Sequence, residues 1–174
     1  MTTAEYLDKS PAAACMGKAA ELLVAASAIL ATRGELNVST SLVDDDGVDL
    51  VFHRRGHTAT LAVQVKARMS DGKLVQRGRV SANVRDATFR PRRDLHMLFV
   101  VIDPAEGRIV TAWLVPSPEF AELVSTPNGK GRRVFSASSK PESADQWRRY
   151  RVDAVELPVR VLDRLAQLDV AART

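Results

Sequence analysis

The sequence predicts a mixed α/β sandwich, a sheet flanked by helices. Three observations carry that expectation: a long apolar helix opens the chain, alternating segments of strand length follow, and a helix with an apolar stripe closes it. With 174 residues, 45% of them apolar and 26% charged, the chain has the make-up of a soluble globular protein. Its length fits a single domain over residues 1–174, able to bury roughly 70% of its unfolded surface. Ordinary apolar content and a net charge of +4 exclude disorder as the dominant state. One cysteine, Cys15, excludes a disulfide scaffold. Glu5, Asp8 and Lys9 interrupt the start before any apolar run, so no cleavable leader is expected. The longest apolar run, 22–31, is about half a membrane span, so no membrane partner and a cytoplasmic location are expected.

Ser10-Pro11 reads as a helix start, a hydroxyl cap followed by the residue tolerated at the first helical position. Gly17 weakens the first turns, which places the firm part of the helix at 16–33, ended by Gly34. Residues 35–43 alternate as a strand, and 48–55 and 58–68 read as a hairpin closed on Gly56-His57 in a type II′ turn. In that register paired residue numbers sum to 113, so Asp49 faces Gln64 and Gly47 faces Lys66. Alternation then puts Asp49, Gln64 and Lys66 on one face, and Leu50, Phe52, Leu61, Val63 and Val65 on the other. Within 70–94, Val80, Val84 and Ala87 have helical spacing, although Gly72, Gly78 and Pro91 break it. Strands are expected at 95–102 and 109–115, a short helix from Ser117-Pro118 to Val124, and a long loop over 126–145. A strand at 147–152 and a helix at 157–169, with Val161, Leu162, Leu165 and Leu168 inward, complete the chain.

The charge is unevenly spread. Segment 72–93 carries Lys73, Arg77, Arg79, Arg85, Arg90, Arg92 and Arg93 against Asp86 alone. Segment 130–151 carries Lys130, Arg132, Arg133, Lys140, Arg148, Arg149 and Arg151 against Glu142 and Asp145. Together these segments hold +11, and the remaining 130 residues hold −7. Two concentrated basic segments on an acidic body read as a surface for a polyanion, or as two solvated arginine-rich loops.

Glu21 is the one charge between Lys18 and Arg33 on an apolar helix, where a carboxylate is costly unless paired, exposed or bound to a cation. Asp49 and Gln64 offer hard oxygen donors across two strands, suited to Mg²⁺ or Mn²⁺. Lys66, one step along that face, can orient a water and stabilise charge on a phosphate, or can pair with Asp49. Other motifs carry less. His53 and His57 lack further zinc ligands, Gly129-Lys130-Gly131 is not a phosphate-binding loop, and Cys15 has no neighbouring base. Trp147 among arginines suits stacking on a base or burial as an anchor.

Gly17-Lys18-Ala19-Ala20-Glu21, Gly47-Val48-Asp49-Leu50 and Val63-Gln64-Val65-Lys66 resemble the three signature elements of the PD-(D/E)XK nuclease superfamily. The pattern is similar to the branch spanning Holliday-junction-resolvase-like and Mrr-like proteins, in a Gln-x-Lys variant. The resemblance implies a restriction-endonuclease-like sandwich, a central mixed sheet with an antiparallel three-stranded meander flanked by helices. It covers a core of 11–103, with 104–174 as a C-terminal extension packed on it. It further implies catalytic roles for Glu21, Asp49, Gln64 and Lys66, and Mg²⁺ or Mn²⁺ held by Glu21, Asp49, Gln64 and the Val65 carbonyl. DNA is the implied partner, with RNA left open. Its backbone would lie on Lys73, Arg77, Arg79, Arg85, Arg90, Arg92, Arg93, Lys130, Arg132, Arg133, Arg148 and Arg149. Nucleases of this kind often pair as homodimers to cut two strands. Gln64 stands where many members carry an acid, which favours a second class: a binding module that keeps the fold without catalysis, as a subunit of a repair or defence assembly.

Overall fold

The computed structural model describes residues 10–41 and 47–171. Helix α1 (Pro11–Ala31) begins at its cap, where Ser10 Oγ accepts from the Ala13 N–H at 3.2 Å and Pro11 takes the first helical position. It starts at Ser10-Pro11 as expected, and the turns around Gly17 that precede the firm part are helical as well. The helix ends at Ala31 and the chain leaves it through Arg33 and Gly34, at φ +50° and +78°, with the Gly34 N–H donating to the Ile29 carbonyl at 2.9 Å. By length and composition α1 could cross a membrane, with a mean hydropathy of 1.6. It lays Ala20, Val24, Ala25 and Ala28 on the sheet and leaves Met16, Leu22 and Leu30 exposed.

Strands β1 (Leu36–Thr40), β2 (Leu50–Arg54) and β3 (Thr60–Met69) form an antiparallel meander. Leu50 faces Val63 and Phe52 faces Leu61, the register expected from the sequence. The turn differs. The His57 N–H donates to the Arg54 carbonyl at 3.1 Å, so Gly56, at φ +77°, is third in the turn rather than second as a type II′ hairpin requires. Register survives a wider turn because a one-residue slip would turn Leu50, Phe52, Leu61 and Val63 out of the core.

The segment read as helical around 80–87 is a strand. A single turn, α2 (Lys73–Gln76), precedes Gly78 at φ +83°, and β4 (Arg79–Arg85) follows. Burial there has period two, on Val80, Ala82 and Val84, not the helical set 80, 84 and 87. The expected long loop at 126–145 contains β4's partner, β7 (Arg132–Ser138), in antiparallel register. Between them, β5 (Leu95–Asp103) runs parallel to β3, and β6 (Arg108–Pro116) returns antiparallel to β5. Every β5 residue from Leu95 to Ile102 is buried, as a continuous apolar run in a central strand should be. The expected strand at 147–152 shrinks to β8 (Arg151–Val152), because Arg148–Tyr150 tighten into a 3₁₀ turn. Helices α3 (Ser117–Leu123) and α4 (Glu156–Ala171) match expectation closely.

Among the described residues the main sheet thus has six strands in the order β1-β2-β3-β5-β6-β8. It is mixed, and flanked by helices. One face, with Leu50, Phe52, Val63, Leu98 and Val100, is covered by α1 and α4. The other face, with Met97, Phe99, Val101, Trp113 and Val115, is covered by the β4–β7 ribbon, α3, Trp147 and Tyr150.

Candidate functional site

The site is built where β2 begins. The Asp49 N–H donates to the Val63 carbonyl at 3.0 Å, continuing the hairpin one residue past β2. Its carboxylate Oδ2 then accepts from the Val65 N–H at 2.6 Å, standing in for the main-chain acceptor that β2 no longer supplies. A hydrogen bond to an ionised acceptor is among the stronger ones, so Asp49 fixes this stretch of β3. The N–H and C=O of one strand residue point to the same edge, so the Val65 carbonyl faces the edge β2 leaves.

Gln64 is 9% exposed, and its amide lies over Gly47. A Cβ at residue 47 would come within 2.7 Å of Gln64 Nε2, and Gly47 has φ +66°, so two independent constraints select glycine. Lys66 is half-buried and follows on the same face. Gln64 pairs beside Met97 and Lys66 beside Phe99, both on the face that carries the β4–β7 ribbon. Arg68, next on that face, donates from Nε to the Ser81 carbonyl at 2.7 Å and ties β4 to β3. Burial lowers the Arg68 pKa from its ordinary value.

Glu21 has a different setting. Its carboxylate pairs with Lys18 Nζ at 2.7 Å and is 16% exposed, on a helix that packs against the opposite face of the sheet. The structure therefore groups Asp49, Gln64, Val65 and Lys66 and sets Glu21 against a neighbour on its own helix. Among the described residues no three His, Cys, Asp or Glu side chains gather as a metal-holding group. Asp44, Asp45 and Asp46 lie outside the described residues.

Of the arginines and lysines in the two basic segments, Lys73, Arg77, Arg79, Arg90, Arg93, Lys130, Arg148 and Arg149 are exposed, and Arg85, Arg92 and Arg132 are half-buried. Arg133 turns inward, bonded to Asp86 at 2.6 Å and to the Val124 carbonyl, with its guanidinium over the Phe89 ring. Arg149 lies over the Tyr150 ring and bonds Glu119. Arg92 pairs with Asp94 at 3.1 Å. Trp147 is 1% exposed, an anchor of the core packed on Phe135 and Phe120.

Sequence reasoning missed the pairing of the two basic segments. β4 and β7 place Arg85 directly opposite Arg132 and Arg79 opposite Ser138, so segments about 50 residues apart share one surface. The signal was present in the period-two spacing of Val80, Ala82 and Val84 and of Phe135 and Ala137. It also missed Asp169, which is 8% exposed, accepts from the Ala59 N–H at 3.0 Å and pairs with His57 at 2.7 Å.

No protein-family model matches the chain, and no curated protein matches it. Two solved structures are similar in part. A bacterial homing endonuclease, I-Ssp6803I, is 19% identical over 83% of this chain and 91% of its own, with a TM-score of 0.47. MepB is 13% identical over 68% of this chain and 87% of its own, with a TM-score of 0.35.

Proposed function

We propose that this chain is a nuclease that hydrolyses phosphodiester bonds in DNA with the help of Mg²⁺ or Mn²⁺. The observation that carries the reading is that Asp49, at the start of β2, holds the Val65 N–H between Gln64 and Lys66, beside a ribbon built from both basic segments. The donors there fit a hard cation: one carboxylate, one amide oxygen and one main-chain carbonyl, all oxygen. Mg²⁺ is commonly held by one or two carboxylates, with water and substrate phosphate completing its sphere. Asp49, Gln64 and the Val65 carbonyl would hold the ion, and Glu21, if released from Lys18, would add a second carboxylate. Such an ion supplies Lewis acidity at the phosphate and a more acidic water.

The chain's own residues do the rest. Asp49, by holding the Val65 N–H, keeps β3 extended so that Gln64 and Lys66 project together. Lys66 orients the attacking water and stabilises negative charge developing on the phosphate. The exposed Arg79 and the half-buried Arg85 and Arg132 of the ribbon hold the backbone in place. Supercoiled plasmid and branched duplexes incubated with Mg²⁺ or Mn²⁺ test this, read as nicked or shortened product. Lys66→Ala is expected to slow cutting by about 10²-fold or more. Absence of cutting by the wild type, or cutting unchanged in Lys66→Ala, overturns it.

A second reading has its own support. Gln64 is neutral, and Glu21 is engaged by Lys18, which suits a module that binds DNA without cutting it. Binding that persists in chelator, with no product after either cation is added, selects that reading.

A further inference from the structure

The β4–β7 ribbon has two faces of different character. Val80, Ala82, Val84, Phe135 and Ala137 point into the core. The outer face carries Arg79, Ser81, Asn83 and Arg85 on one strand and Arg132, Val134, Ser136 and Ser138 on the other. Its middle positions hold uncharged residues and its ends hold arginines, with Arg79 Nε donating to Ser136 Oγ at 2.9 Å. Arg85 faces Arg132 across the strands, and like charges directly opposite destabilise a sheet. An anion bridging the two guanidinium groups removes that cost. Val134, 37% exposed, lies directly opposite the exposed Asn83.

Duplex DNA fits both features at once. Its major groove, about 12 Å wide, admits a two-stranded ribbon. Arg79 and Arg85 stand about 20 Å apart at ~3.3 Å per residue, enough to reach past the groove to the phosphates on both walls. The residues between them then face base edges. Asparagine makes a bidentate contact to the N6 and N7 of adenine, and apolar groups pack on the thymine methyl in the same groove. Asn83 and Val134 are cross-strand neighbours, so the two contacts fall on one A·T pair or on adjacent ones.

We infer that the outer face of the β4–β7 ribbon enters the major groove of duplex DNA, where Asn83 and Val134 select A·T and the Arg79 and Arg85–Arg132 ends hold the flanking phosphates. This inference rests on the DNA reading above and adds where sequence is read. Arg68 joins β4 to β3 two residues beyond Lys66, so a ribbon seated in the groove also sets the position of the Asp49–Lys66 face.

The test uses the full chain in chelator, so that binding is scored without cutting. Duplexes with a randomised centre are selected by the wild type, Asn83→Ala, Val134→Ser and Arg132→Ala, with circular dichroism confirming that each variant is folded. The wild type is expected to enrich A·T at one or two adjacent positions. Asn83→Ala is expected to lose about 5- to 100-fold of discrimination there while keeping non-specific binding. Val134→Ser weakens the choice of thymine. Arg132→Ala weakens binding to every sequence alike and lowers the salt slope by about one. Binding of duplex with a preference unchanged in Asn83→Ala and Val134→Ser overturns the ribbon assignment and leaves the DNA reading standing. Equal affinity for single strands also overturns the assignment. A folded wild type that binds no duplex at low salt overturns both.

Discussion

His96 is 3% exposed on β5, and its Nδ1 has no hydrogen-bond partner among the described residues. Burial, and then the Arg164 guanidinium, pushes its pKa down to about 4. The unfolded chain binds a proton near the ordinary value of about 6.5, whereas the folded chain refuses it until about 4. Stability is therefore full above pH 6.5 and falls as pH drops toward 4, by on the order of 3 kcal/mol. Urea unfolding at pH 7, 5.5 and 4.5 checks this, and His96→Gln is expected to flatten the slope. Gly47 offers a second residue-scale prediction. Gly47→Ala meets both a positive φ and the Gln64 amide, and is expected to cost about 1–2 kcal/mol and to displace Gln64. If the reading of the site is right, cutting falls in that variant more than thermal stability alone explains. A melt unchanged from wild type counts against the steric argument.

At the scale of elements, contacts distant in sequence set the ends. Asp169, in the last turn of α4, holds the Ala59 N–H and His57, and so clasps the β2–β3 turn to the final helix. Asp169→Ala takes the carboxylate from the part-buried Ala59 N–H and is expected to cost about 1 kcal/mol. Hydrogen exchange should rise at residues 57–59 and in the last turn of α4 together; a rise in only one of them breaks the clasp argument. The meander was legible in sequence because a one-residue slip would turn Leu50, Phe52, Leu61 and Val63 away from their common face. The ribbon was not. Val80 and Val84 suit a helix as well as a strand, and the choice fell to β7, whose Phe135 and Ala137 complete the buried face. Glycine decided the rest, since Gly78 at φ +83° ends α2 after one turn.

Across the whole molecule, the second layer depends on an aromatic cluster. Phe135 stacks on Phe99 with centroids 3.8 Å apart and 5° between planes, and lies 4.8 Å from Trp147. Phe135→Ala is expected to cost about 3–5 kcal/mol, read as a lower urea midpoint. Because that ring joins ribbon to sheet, the variant should also lose affinity for DNA if the ribbon is the binding face. Affinity equal to wild type at a temperature where the variant is folded would separate the two roles. The net charge of +4 has little meaning at this scale. The two segments that together carry +11 come to share one ribbon only when β4 meets β7.

By itself the sequence determined the fold class, the meander register and the common face of Gln64 and Lys66. All three follow from local rules: a capped apolar helix, period-two burial and the alternation of side chains along strands. Tertiary structure alone decided that the two basic segments form one surface and that Arg133 and Trp147 serve the core. Those outcomes depend on which distant partner a residue finds. A strand's pattern says which side is buried, but not which strand will cover it.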